Sequence, residues 1–153
     1  MVIPRSIIIF TVIGCFSATA LADRLPKDAM KLTQAEAQAL YAGKSSEWSR
    51  SNAYFSPDGS YFIVGKSGNF AGQGKWSARD NEVCAEFQGK SLKEGKIHTG
   101  KDCWTWYRQG KKYWALWSGE KDKVGGYYDG ELKKLSNGDK VTKRYQEIMA
   151  KSN

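Results

Sequence analysis

Tyr54 to Cys84 reads YFSPDGSYFIVGKSGNFAGQGKWSARDNEVC, and this stretch decides the fold. Two short aromatic runs, Tyr54-Phe55 and Tyr61-Phe62-Ile63-Val64, flank Ser56-Pro57-Asp58-Gly59. Pro57 pre-sets the backbone torsion at the first corner of a turn, and Gly59 can take the positive φ that closes it. That pattern predicts a β-hairpin. After a Gly-rich bend, Lys75 to Arg79 and Glu82 to Phe87 repeat the theme around Asp80-Asn81. The stretch predicts an antiparallel meander carrying aromatics and one half of a disulfide.

Upstream, Asp23 to Met30 is polar, carries Pro26 and reads as an extended lead-in. Thr33 and Glu36 have the spacing of a capping box, in which each side chain accepts from the other residue's backbone N–H. Ala35, Ala37, Ala39 and Leu40 then favour a helix over Gln34 to Ala42, with Gly43 as its left-handed cap. From Ser46 the period changes to two. Strands are predicted at Glu47–Arg50, Ala53–Ser56, Ser60–Lys66, Lys75–Arg79, Glu82–Gln88, Cys103–Gln109 and Lys112–Ser118, with a last short one within Gly130–Leu135. Alternation places Trp104 and Trp106 on one face of their strand and Cys103, Thr105 and Tyr107 on the other. Trp114 and Trp117 fall on opposite faces of the next strand. After the Asn137-Gly138-Asp139 turn, with Asp139 as an N-cap, Val141, Tyr145, Ile148 and Met149 form one apolar stripe of a terminal helix spanning 140–151. Short strands, Gly-rich turns and few helices predict a mainly β fold. It is a small antiparallel β-barrel or sandwich, a lipocalin-like meander, with a short N-terminal helix and a C-terminal amphipathic helix. Six Trp, eight Tyr and six Phe in total, nearly all of them after residue 22, can fill its core despite the modest aliphatic content.

The first 22 residues read as an address. Arg5 supplies a positive flank, Ile7 to Ile13 an apolar run too short to span a bilayer, and Ala20-Leu21-Ala22 a small-x-small cleavage site. Residues 23–153 are then a single β-rich domain in the periplasm or outside the cell, with no transmembrane helix. A competing reading makes Val12-Ile13-Gly14-Cys15 a lipobox, with the protein anchored through a lipidated Cys15. Either way Cys84 and Cys103 remain, and two cysteines in an exported domain most simply form one bridge. Residues 23–153 hold 23 basic and 16 acidic residues, a charge of +7. Export removes nucleic acid as the partner, and the cations are dispersed through turns, as a solvated surface requires. Anionic envelope polymers or lipid headgroups are the sharper alternative.

Catalytic patterns are sparse. Ser60 to Ser67 nearly matches a phosphate loop, but Ser60 stands where glycine is needed and the intervening residues are strand formers. Gly72-Gln73-Gly74 lacks the third glycine and following helix of a dinucleotide site. His98 is the only histidine. An imagined His98–Asp102 pair has no Gly-x-Ser-x-Gly nucleophile to serve, and no spacing of ligands suggests a metal. Cys84 and Cys103 are too far apart in sequence for a Cys-x-x-Cys redox pair. Glu82 and Glu86 share one face of a strand, which leaves a carboxylate-only glycan hydrolase as the residual enzyme reading. The expectation is no enzyme, no cofactor and no metal.

The most aromatic part of the chain is the hairpin from Trp104 to Trp117. Its Trp104, Trp106, Trp114 and Trp117, bordered by Arg108, Lys111 and Lys112, are the candidate binding residues for an anionic glycan, lipid or protein partner. A purely structural role, with every tryptophan in the core, is the alternative. A lysozyme-inhibitor-like role ranks lower, because that target is basic and would be repelled.

Leu25-Pro26-Lys27-Asp28-Ala29, Leu32-Thr33-Gln34-Ala35-Glu36, Leu40-Tyr41-Ala42-Gly43-Lys44 and Trp48 resemble the opening of small exported bacterial proteins grouped as domain of unknown function 995. Tyr54 to Gly59, Gly72-Gln73-Gly74-Lys75-Trp76, Cys84 and Cys103 are similar to that family's central part. The resemblance implies an envelope protein with a small β-rich fold and carries over no catalytic residue. The basic tail from Lys140 to Lys151 lies outside it.

Overall fold

The computed structural model describes residues 23–151. The expected signal peptide, its cleavage site and the alternative anchor at Cys15 lie outside the described residues. The described chain is mainly antiparallel β. Its elements are β1 (Met30–Lys31), α1 (Gln34–Tyr41), β2 (Lys44–Glu47), β3 (Ser51–Phe55), β4 (Ser60–Gly65), β5 (Phe70–Arg79), β6 (Glu82–Ser91), β7 (Ile97–Gln109) and β8 (Lys112–Trp117). A 3-10 turn at Glu131–Lys134, β9 (Leu135–Asn137) and α2 (Thr142–Ala150) complete it.

Strands β2 to β8 pair in chain order, each antiparallel to the next, and β9 returns to pair with β2. The tiny β1 pairs with Tyr107 and Arg108, beyond the Glu82–Thr105 rung where β6 leaves β7. The result is a curled half-barrel. The 3-10 turn packs against both β8 and β9, at the two ends of the sheet.

Local chemistry explains most of these elements. Thr33 and Glu36 make the reciprocal capping box of α1, and Gly59 closes the β3–β4 turn with φ +83°. Asp139 accepts from the N–H groups of Val141 and Thr142, both at 2.9 Å, and so caps α2 from two residues before the N-cap position. Cys84 and Cys103 face each other across β6 and β7 and are joined by a disulfide, with Cα atoms 4.1 Å apart.

Three expectations need correcting. Gly72-Gln73-Gly74 is not a bend but the middle of β5, paired with Gln88, Gly89 and Phe87 of β6. A Cβ on Gly74 would lie 1.9 Å from the Glu86 carbonyl oxygen, so the two strands come close enough there that only glycine fits. The segment before Leu135 forms a 3-10 turn rather than a strand, and Trp48 follows β2 in the turn to β3. There the Trp48 N–H donates to the Ser51 carbonyl at 2.9 Å.

Two apolar clusters sandwich the sheet. The inner one centres on Phe55, whose ring lies 4.6 Å from Tyr41, 5.0 Å from Tyr61 and 5.7 Å from Trp76. Trp104 and Trp106 belong to it, as edge-to-face aromatic packing favours. On the outer face, the predicted stripe of α2 seats Val141 and Ile148 against Val64 and Ala71, and Tyr145 packs 5.3 Å from Phe62.

Candidate functional site

The half-barrel holds a cleft of about 470 Å³. Four aromatic residues line it: Trp48 from the β2–β3 turn, Trp104 from β7, Trp117 from the end of β8, and Tyr128. Asp102, Glu120, Arg50 and Lys134 supply its charges. A second depression of about 510 Å³ lies on the outer face beside α2, over Gly72, Gly74 and Gly89. It gathers neither stacked indoles nor acidic groups, so the aromatic cleft is the better candidate.

Each aromatic is held by a specific contact. Trp48 and Trp104 stack with centroids 5.2 Å apart and planes at 10°. Trp48 donates its indole N–H to Glu131 at 2.7 Å. Glu131 is fully buried, yet it also accepts from the Tyr128 hydroxyl and, at 2.9 Å, from Lys134. A buried carboxylate persists only when paired and hydrogen-bonded, and these three donors meet that condition. Burial first, and then the Glu131 charge, push the Tyr128 hydroxyl far above the ordinary tyrosine pKa. The ammonium of Lys134 lies 4.8 Å over the Tyr128 ring as well.

Trp117 is 41% exposed, and its position is nevertheless fixed. Its indole N–H donates to Asp102 at 2.8 Å, and the ring lies so close to Gly119 that a Cβ there would sit 2.4 Å from it. The loop beyond is tied internally. Asp122 accepts from the N–H groups of Val124 and Gly125, Glu120 from those of Lys121 and Asp122, and Lys123 donates to the Ser118 carbonyl.

The predicted binding residues separate. Trp104 and Trp117 face each other across β7 and β8 and meet in the cleft. Trp106 is buried in the inner cluster, and Trp114 is buried opposite Tyr107 on the other face of the hairpin. Arg108 pairs with Glu36 at 3.2 Å, while Lys111 and Lys112 are exposed at the turn. The Gln109–Lys112 rung is five residues from the Trp104–Trp117 rung, roughly 17 Å at about 3.4 Å per residue. The cations therefore do not border the two cleft tryptophans.

The other candidates also resolve. His98 sits 3.4 Å from Glu94, not beside Asp102. Glu82 accepts from Thr105, and Glu86 pairs with Lys101 at 2.6 Å, neither of them in the cleft. Among the described residues, the one group of three potential metal ligands is Glu82, Cys84 and Cys103, whose sulfurs are spent on each other. Sequence reasoning missed Trp48, Tyr128, Glu131, Asp102 and Glu120. The available signals were an aromatic within the serine-rich stretch from Ser45 to Ser51, and the i,i+3 spacing of Glu131 and Lys134.

Fold and cleft together define a curled antiparallel meander whose cleft is lined by immobilised aromatic side chains. The chain belongs to the family described as protein of unknown function (DUF995), which it matches over residues 8–142. The match stops at the first residue of α2, so most of the basic terminal helix lies beyond it. Comparison with curated proteins and with solved structures finds no match. No helix among the described residues is long and apolar enough to cross a membrane.

Proposed function

We propose that the chain is a noncatalytic exported protein of the cell envelope that binds its ligand in the aromatic cleft. The carrying observation is Trp117, a large exposed indole held by Asp102 at its N–H and backed by Gly119. An exposed aromatic fixed before binding loses little freedom when a ligand stacks on it. Export is supported by the disulfide, which suits an oxidising compartment, and by the leader-like first 22 residues.

Acrylamide quenching tests the binding reading. Trp76, Trp104, Trp106 and Trp114 are buried and Trp48 is half-buried, so most of the accessible fluorescence should be lost in Trp117→Phe. Envelope saccharide or lipid fractions should shield it in the parent protein. Quenching that no fraction alters would sink the reading and leave a structural role. Incubation with peptidoglycan and envelope polysaccharide tests the noncatalytic part. Turnover lost in Asp102→Asn or Glu120→Gln would make the cleft a hydrolase site. Intact mass of protein recovered from cells tests export: a chain beginning at Asp23 is expected, whereas a diacylated Cys15 would make it a lipoprotein.

A further inference from the structure

We infer that the cleft takes an uncharged saccharide, a deepening that rests on the binding reading above. The charge balance of the lining carries the argument. The whole chain is +8, which invites an anionic ligand. At the cleft the balance differs: Asp102 and Glu120 stand against Arg50 and Lys134, and Lys134 is already committed to Glu131 and the Tyr128 ring. One uncommitted cation against two carboxylates repels an anionic ligand at close range.

The remaining classes fit less well. An acyl chain would strip water from four charged side chains without offering them a hydrogen bond. A quaternary ammonium wants several ring faces converging on one point, but Trp48 and Trp104 each spend a face on the other. A cleft of about 470 Å³ is also far larger than such a head group. A sugar ring meets every feature. Its C–H face lies on the open face of Trp117, and its hydroxyls donate to Asp102 and Glu120 and accept from Arg50. The mixture of an apolar platform with a few polar groups is the general form of such sites.

The test is titration of the protein, residues 23–153, followed by tryptophan fluorescence and calorimetry. The probes are cellotetraose, the N-acetylglucosamine tetramer, a hyaluronan tetrasaccharide, laurate and choline. Either neutral tetramer should bind, with affinity unchanged between low and high salt, and Trp117→Ala should weaken it at least about tenfold. Trp117→Phe, which keeps a stacking face, should recover part of that loss, and a cooperative melting transition retained in both variants shows that neither has merely misfolded. Binding of hyaluronan, laurate or choline through Trp117, without the neutral tetramers, overturns the uncharged-saccharide assignment and leaves the binding cleft standing. If no probe binds and Trp117 stays equally open to acrylamide throughout, the assignment and the binding reading fail together.

Discussion

Glu131 is the residue on which the cleft depends. Its carboxylate joins Trp48 to Tyr128 and Lys134, and nothing replaces it when it is removed. Glu131→Ala should lower stability by about 2–4 kcal/mol, because the N–H of Trp48 and the hydroxyl of Tyr128 lose their partner at a buried site. Glu131→Gln keeps an acceptor and should cost less. Urea midpoints measure both, and equal losses would show that the negative charge matters rather than the hydrogen bonds. Tyr61 presents the opposite case. Its hydroxyl is buried with no hydrogen-bond partner, and burial, then Asp102, hold its pKa well above the ordinary value. Such a group favours the folded state while protonated. Its contribution is complete below the unfolded pKa of about 10 and is lost as pH climbs beyond it. Tyr61→Phe should therefore be neutral or stabilising by up to about 1 kcal/mol at neutral pH. It should also flatten the alkaline fall in stability, read by denaturation from pH 8 to 11. An unchanged alkaline slope would assign that fall to other groups. None of this was visible in the sequence, where Glu131 is one acid in a lysine-rich segment and Tyr61 one aromatic in an alternating strand.

At the scale of elements, the strands with alternating aromatics were legible, because period two and turn residues are local properties. The capping box of α1, the stripe of α2 and the Cys84–Cys103 pairing were legible for the same reason. The early start of β5 was not: glycines punctuate a sequence, but here they admit a neighbouring backbone, a tertiary fact. Gly74→Ala should accordingly disrupt the β5–β6 ladder at a cost of about 1–3 kcal/mol or more, seen as a lowered melting temperature. A normal melt would mean that the strands can separate to admit a methyl group. Cys84→Ala should also lower the melting temperature, by the equivalent of about 3 kcal/mol for a loop of this size. Reductant should reproduce the effect in the parent protein and leave the variant unchanged. On the outer face, Ile148→Ala should cost about 2–4 kcal/mol, since α2 has few other fully buried contacts. The candidate site was half legible. Trp104 and Trp117 stood out by density, but Trp48 comes from some 55 residues away in sequence, and only the curl of the sheet unites them.

At the scale of the molecule, the sheet runs from β8 to β9 with no backbone ladder joining those ends among the described residues. The gap is crossed by side chains, Glu131 with Trp48 and Tyr128, by the 3-10 turn beside them, and by one isolated backbone bridge between Ala115 of β8 and Tyr128. Amide exchange should find β8 and β9 less protected than β5 and β6, which are paired on both sides. Uniform protection would mean that the side-chain closure is as firm as a ladder. The consequence is mechanical. A tube slit along its length resists bending almost as well as a closed one but yields readily to torsion. In this protein the slit is pinned where the cleft lies, by the Glu131 contacts and the Ala115–Tyr128 bridge, so the groups that resist torsion are also the ones that hold the aromatic platform rigid.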